Sequence, residues 1–402
     1  MRVDVLEALA VLDQGSSESA VVRAKAVARD VASIYAQDVD RDARFPVEAM
    51  AAIRKARLLG IMVPPDLGGE GADFSTVTAV CSHLATACAS TGMVFAMHQI
   101  QVASLLLSGL KSPWHRQLFA RIANEQLLLA SATTEGGIGG NIRTSACAVC
   151  REGDAITIEK LGTVISYGRQ SDGIMVTARS APEAPASDQV VVPVLTGQYT
   201  LEPSGTWDAL GMRGTCSESF RLQAIAAAEQ ICPMPFAEIA ARSMLAASHI
   251  FWSGVWYGIA ADAVARAHSL VREKARVNAG VQSPGATRLT EAIARLQLMR
   301  ANIRHALECY EVACAREGGT EATSFAINIS SLKISSSELV VEIVNKALMV
   351  CGLEGYRNDS PHSLCRHLRD AYSAQLMINN DRIQQNLAGL VPASRLNNDL
   401  IG

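Results

Sequence analysis

The apolar period of this chain changes twice, and that limits its fold more than any single motif does. From residue 1 to about 128, apolar residues recur every three or four positions, as Ala24, Val27, Val31 and Ile34 do within Val21 to Gln37. That spacing builds helices with one buried face. From 129 to 235 the period is two, in Ala155 to Ile158, Gly173 to Thr177, Gln189 to Leu195 and Ser219 to Leu222. Gly, Pro, Asp and Ser clusters separate these runs, which predicts a small antiparallel barrel or sandwich. From 236 to 402 the helical period returns in long stretches: Ala240 to Arg276, Arg288 to Arg316, Ala322 to Val350 and Ser363 to Gly389. Long helices with short links predict a four-helix bundle. The expected fold class is therefore α+β, with three domains at 1–128, 129–235 and 236–402.

Bulk properties narrow the function. At 49% hydrophobic the 402 residues have ample material for large cores. A net charge of −3 gives no reason to expect nucleic acid as a partner. No uncharged apolar run of about 18 residues is apparent, so no membrane span is expected. The first residues lack the apolar core of a secretion signal, and ten cysteines then read as reduced thiols in a cytoplasm. Cys147 and Cys150 have no second pair to complete a zinc site and fall on opposite faces of an alternating segment, so no metal is expected.

The segment most suggestive of chemistry is Thr133-Thr134-Glu135-Gly136-Gly137-Ile138-Gly139-Gly140-Asn141, at the junction of the first helical region and the β region. Glycine loses the most backbone freedom on folding, so a run like this usually lets backbone N–H groups approach a ligand closely. Five other segments accompany it: Pro65-Asp66-Leu67-Gly68-Gly69-Glu70-Gly71, Val164-Ile165-Ser166-Tyr167-Gly168 with Asp172, Leu210-Gly211-Met212-Arg213-Gly214-Thr215, Cys351-Gly352-Leu353-Glu354-Gly355-Tyr356, and Arg369-Asp370-Ala371.

Together, and in this order, the six motifs resemble those of the acyl-CoA dehydrogenase superfamily over nearly the whole chain. The resemblance implies FAD, held between the β domain and the bundle and completed by a neighbouring subunit of a homodimer or homotetramer. It implies cofactor contacts at Thr133, Thr134, Gly139, Gly140 and Ser166, and contacts to a partner's cofactor from Arg276, Gly352 and Gly355. It implies an acyl thioester substrate, on CoA or an acyl carrier protein, and an electron-transfer flavoprotein as acceptor. Oxidoreductases of this kind serve lipid or secondary metabolism.

The departures are as informative as the matches. The family's usual base is a glutamate shortly after Arg-Asp-Ala; that position here is Ile378, and the alternative position on the first bundle helix is Ser248. Isoleucine cannot take a proton, although its backbone N–H is free to bind a substrate carbonyl. Two histidines are candidates for the catalytic role. His249 falls on one helical face with Trp252 and Trp256, where it would line an aromatic pocket together with the substrate-contacting Trp252. His98 lies on a helix that in this family borders the acyl pocket. Asp381 is the nearest carboxylate but lies on another helical face. The expected reaction is α,β-dehydrogenation of an acyl thioester; the alternatives are a flavin-dependent monooxygenase of the same fold and a non-catalytic flavoprotein.

Overall fold

A computed structural model describes residues 18–137, 142–277 and 284–394. The chain forms two compact units that divide at Ser248/His249. In the first, among the described residues, helices α1 (Ala20–Val27), α2 (Ser33–Arg41), α3 (Val47–Lys55), α4 (Phe74–Ala87), α5 (Ala89–Gly109) and α6 (Pro113–Glu125) precede seven strands. Helix α4 starts where the Asp73 carboxylate accepts from the Thr76 N–H at 2.7 Å. Helix α5 is nearly all buried, because its small residues admit neighbours on every side. A Cβ at Gly92 would come within 2.9 Å of the Ala85 backbone nitrogen, so glycine sets how closely α4 and α5 pack. Among the described residues α5 is also long and apolar enough to cross a membrane; 83% of that stretch is buried inside the fold, as in a core helix.

The strands form two sheets. Strands β2 (Val149–Glu152), β3 (Ala155–Ile165), β7 (Glu218–Ala227) and β6 (Tyr199–Gly205) lie antiparallel in that order. Along β3, Ile156, Ile158 and Lys160 face inward while Thr157, Glu159 and Leu161 face out, the period-two pattern of the sequence. The second sheet has the order β1 (Leu129–Ala132), β4 (Gly173–Arg179), β5 (Gln189–Leu195). Here the expectation of a wholly antiparallel domain needs correcting, since β1 runs parallel to β4 with Leu129 opposite Gly173. The excursion through β2 and β3 between them is long enough to bring the chain back in the same direction, which a hairpin cannot do.

A short helix α7 (Phe236–Ile239) and a π-helical stretch (Ala240–Met244) lead into α8 (Leu245–Val277), inside which the unit boundary falls. The second unit continues with α9 (Pro284–Cys314), α10 (Thr323–Cys351), the single turn α11 (Leu353–Tyr356), α12 (Cys365–Leu376) and α13 (Asn380–Leu390). Helices α9, α12 and α13 all pack on α10. The last helix of the sequence reading, Ser363 to Gly389, is two helices. It breaks at Ile378, whose φ is 48°, and restarts where the Asn379 side chain accepts from the Asp381 N–H at 2.8 Å. Helical periodicity on both sides of the break hid it from pattern reading.

Candidate active site

In the first unit the glycine-rich segment is tied down by Glu135. Its carboxylate accepts from the Ser145 hydroxyl at 2.8 Å and from the N–H groups of Ala146 at 3.1 Å and Cys147 at 2.8 Å. Lys160, fully buried on the inner face of β3, lies 3.7 Å from the same carboxylate and donates to the Thr177 carbonyl at 2.7 Å and hydroxyl at 3.1 Å. A buried charge pair with every arm hydrogen-bonded costs far less than either charge alone. The Thr134 hydroxyl donates to the Val164 carbonyl at 3.1 Å and the Gly136 N–H to the Leu161 carbonyl at 3.1 Å, so the first part of the segment grips β3. At Gly137, φ is 85° and a side chain would meet nothing within 4 Å, leaving that backbone open. Gly139 and Gly140 lie outside the described residues.

Ser166 stands at the end of a hydroxyl chain. Its Oγ is 2.8 Å from that of Ser217, which is 2.7 Å from that of Thr215, and Thr215 donates to the Met212 carbonyl at 2.9 Å. With Thr215 donating to Met212, Ser217 to Thr215 and Ser166 to Ser217, the Ser166 oxygen keeps lone pairs for an outside donor. Turning the Ser166 proton outward would cost the bond to Ser217, because the Met212 carbonyl only accepts and each hydroxyl has one proton. An outside N–H donor therefore fits this end of the chain. The motif residue Asp172 is structural: it binds Arg54 at 2.6 Å and the Leu128 N–H at 2.7 Å, joining α3 to the start of β1.

His98 occupies the core beneath β1. Its Nε2–H donates to the Leu59 carbonyl at 2.8 Å, and its Nδ1 accepts from the Leu129 N–H at 3.0 Å. Burial lowers its pKa to about 4, and with both nitrogens committed to backbone it has no lone pair for a substrate. On the same helix, Gln101, Ser104 and Leu105 line a narrow, mainly apolar crevice with Thr133, Met175 and Cys232. The Gln101 Oε1 is buried there without a hydrogen bond, a feature no sequence motif marks.

In the second unit His249 is 1% exposed, its ring 6.3 Å from that of Trp252. Its Nδ1 is 3.2 Å from the Ile329 carbonyl. A carbonyl only accepts, so Nδ1 carries the proton and Nε2 the lone pair. Among the described residues that Nε2 has no partner. Burial, with some help from the Lys333 charge, lowers the His249 pKa to about 4, the base strength of an ordinary glutamate. The indole N–H groups of Trp252 and Trp256 are buried and unpaired. Ile378 holds its left-handed φ at a cost on the order of 1–2 kcal/mol for a β-branched residue. Among the described residues its N–H donates to nothing, while its carbonyl accepts from Lys333 Nζ at 2.7 Å. Lys333 went unnoticed in the sequence. The available signal was its isolation as the sole charge in the stretch from Thr323 to Ser337.

The remaining candidates lie toward the helix ends. Arg276 is exposed on the last turn of α8. Gly352 ends α10 with φ 58° and ψ −134°, a conformation side chains avoid, and an added Cβ would meet nothing within 4 Å. Gly355 is buried and borders a cavity of about 330 Å³ with Tyr356, Asn358 and Arg369. Asp381 is exposed, and its N–H donates to the Asn379 side chain.

Two descriptions match this chain: acyl-CoA dehydrogenase, N-terminal domain, over residues 18–112, and acyl-CoA dehydrogenase, C-terminal domain, over 250–381. The chain belongs to the acyl-CoA dehydrogenase superfamily. It is 24% identical to the cyclohex-1-ene-1-carbonyl-CoA dehydrogenase of Syntrophus aciditrophicus over 362 residues, covering 88% of this chain and 84% of that one. The fold is shared with FMN-bound TdsC from Paenibacillus sp. A11-2, a dibenzothiophene monooxygenase (TM-score 0.81, 20% identity, 94% of this chain and 98% of the other). It is shared also with butyryl-CoA dehydrogenase from Megasphaera elsdenii (TM-score 0.74, 16% identity, 94% and 100%).

Proposed function

We propose that this superfamily member is a flavin-dependent oxidoreductase that removes two hydrogens from the α and β carbons of an acyl thioester. The observation that carries the proposal is the unspent N–H of Ile378, held at a strained break between two helices. A donor fixed in advance beside a thioester carbonyl stabilises the negative charge that develops on its oxygen as the α-proton leaves. His249 Nε2 is the base in this reading. It lies against the same helix, since Ile329 and Lys333 are one turn apart on α10. The Ile329 carbonyl keeps the Nδ1 proton throughout, which holds the ring in one tautomer.

A bound flavin would accept the β-hydrogen as hydride. FAD is our reading of it, from the backbone left open at Gly137 and Gly352; FMN is the flavin of the TdsC neighbour. Thr133, Thr134 and Ser166 are its contacts in the first unit. The Ser166–Ser217–Thr215 chain, ending on the Met212 carbonyl, leaves the Ser166 oxygen lone pairs to accept from a flavin N–H. Trp252, with its unpaired indole N–H, is the substrate contact beside His249. We place the protein in the cytoplasm, in keeping with ten unbridged cysteines, as a homo-oligomer. An electron-transfer flavoprotein would receive its electrons.

A flavin monooxygenase is the second reading. It is favoured by the missing carboxylate at Ile378 and by a buried imidazole that stays neutral, and the TdsC fold likeness is compatible with it. Anaerobic titration of the purified protein with acyl-CoA and acyl-carrier thioesters separates the two. Bleaching of the oxidised flavin with formation of an enoyl product supports the dehydrogenase. No bleaching, with oxygen-dependent turnover of reduced flavin, sinks it in favour of the monooxygenase.

A further inference from the structure

Lys333 is a buried cation to which, among the described residues, no carboxylate is bonded. Its side chain is inaccessible to solvent, and its two hydrogen bonds go to neutral oxygens: the Ile378 carbonyl and the Asn380 Oδ1, each at 2.7 Å. Asn380 is fixed in turn, since its Nδ2 donates to the Ser337 hydroxyl at 3.1 Å, and Ser337 donates to the Ile334 carbonyl at 2.8 Å. The ammonium is 5.9 Å from the Trp256 ring centroid. Burial pulls its pKa down to about 8 against the opposing charge of Glu338. An ammonium desolvated this far is expensive, and a break between two helices can be made without one.

The break it holds is unusual. Ile378 keeps a β-branched side chain in the left-handed region, with 41% of the residue exposed, so packing around the side chain does not enforce the conformation. What does enforce it is on the backbone. Lys333 pins the carbonyl on one side of the Ile378 α-carbon, and the Asn380 contacts fix the first turn of α13 two residues on.

We propose that Lys333 is a positioning residue: by holding the Ile378 carbonyl and Asn380 together, it aims the Ile378 N–H at the substrate carbonyl. The inference rests on the thioester reading for its purpose, but the brace itself can be tested without it. Glycine adopts positive φ freely, so a glycine at 378 should need the brace less.

The test uses the flavin-loaded protein, Lys333→Met, Ile378→Gly and the double variant. Expected for Lys333→Met is a fall of about tenfold or more in kcat/KM for the thioester that bleaches the wild-type flavin, with flavin content unchanged. Lys333→Met/Ile378→Gly should recover most of that loss. Unchanged kcat/KM in Lys333→Met, or a loss that Ile378→Gly leaves untouched, overturns the positioning role. If no thioester bleaches the wild type, the functional reading fails, and the brace is read by hydrogen exchange of the segment 376–380. Exchange there should rise at least about tenfold in Lys333→Met while α10 keeps its protection. Unchanged exchange overturns the brace. If Lys333→Met does not fold, Ser337→Ala removes only the Asn380 support and gives the same readout: faster exchange at 376–380 is expected, and no change overturns the proposal.

Discussion

Two histidines equally eligible in the sequence differ in one respect: which of their nitrogens are spoken for. His98 donates from Nε2 and accepts at Nδ1, while His249 spends only its Nδ1–H. Substitution should separate them. His249→Gln is expected to abolish turnover while flavin stays bound; His98→Gln is expected to lower stability and leave residual turnover in the folded fraction. Steady-state kinetics beside thermal melts check both, and normal turnover in His249→Gln would remove it as the base. Burial also couples both residues, and His115, to pH. Each has its pKa lowered to about 4 from an ordinary value near 6.5. The unfolded chain therefore binds protons that the folded one refuses. The stability of the neutral forms is complete above about pH 6.5 and drains away as pH falls toward 4, by up to about 1.4 kcal/mol per unit per histidine. Denaturant midpoints between pH 7 and 4.5 should fall, and His98→Gln should flatten that fall.

Between elements, glycines in the motifs divide into two kinds that sequence alone treats alike. At Gly214, within the Leu-Gly-Met-Arg-Gly motif, a Cβ would meet Val39 Cγ1 at 2.4 Å and the Arg44 carbonyl at 3.0 Å. This glycine lets the turn before β7 seat against α2 and the loop after it. Gly214→Ala should cost about 2 kcal/mol of stability, read as a shift in denaturant midpoint, because the backbone must move to admit a methyl group. A shift within experimental error would show that α2 can yield. Gly137 and Gly352 are the opposite kind: both have positive φ and open space where a side chain would stand. The break at Ile378 also belongs to this scale. It converts one helix into two and frees a backbone N–H that an unbroken helix would have consumed.

For the molecule as a whole, Arg276 is exposed near the end of α8, and Gly352 has open space where a side chain would stand at the end of α10. If a partner subunit's cofactor is what they meet, Arg276→Ala should release flavin several-fold faster on dilution while the melting temperature of the protein stays the same. Flavin fluorescence after gel filtration measures this, and retention equal to wild type would dismiss the cross-subunit contact.

The sequence alone was enough to determine the order of helices, strands and helices, because period 3.6 and period two arise from local geometry that each segment carries with it. It was enough also for the family, because six short motifs in order are themselves a pattern along the chain. The parallel pairing of β1 with β4, the break at Ile378, the commitment of both His98 nitrogens and the burial of Lys333 were decided only in three dimensions. Each depends on which distant backbone group a residue meets, as Lys333 meets Ile378 across 45 positions. A side chain's charge state, free lone pair and strain are set by that partner, and no property of the residue or its neighbours in sequence encodes it.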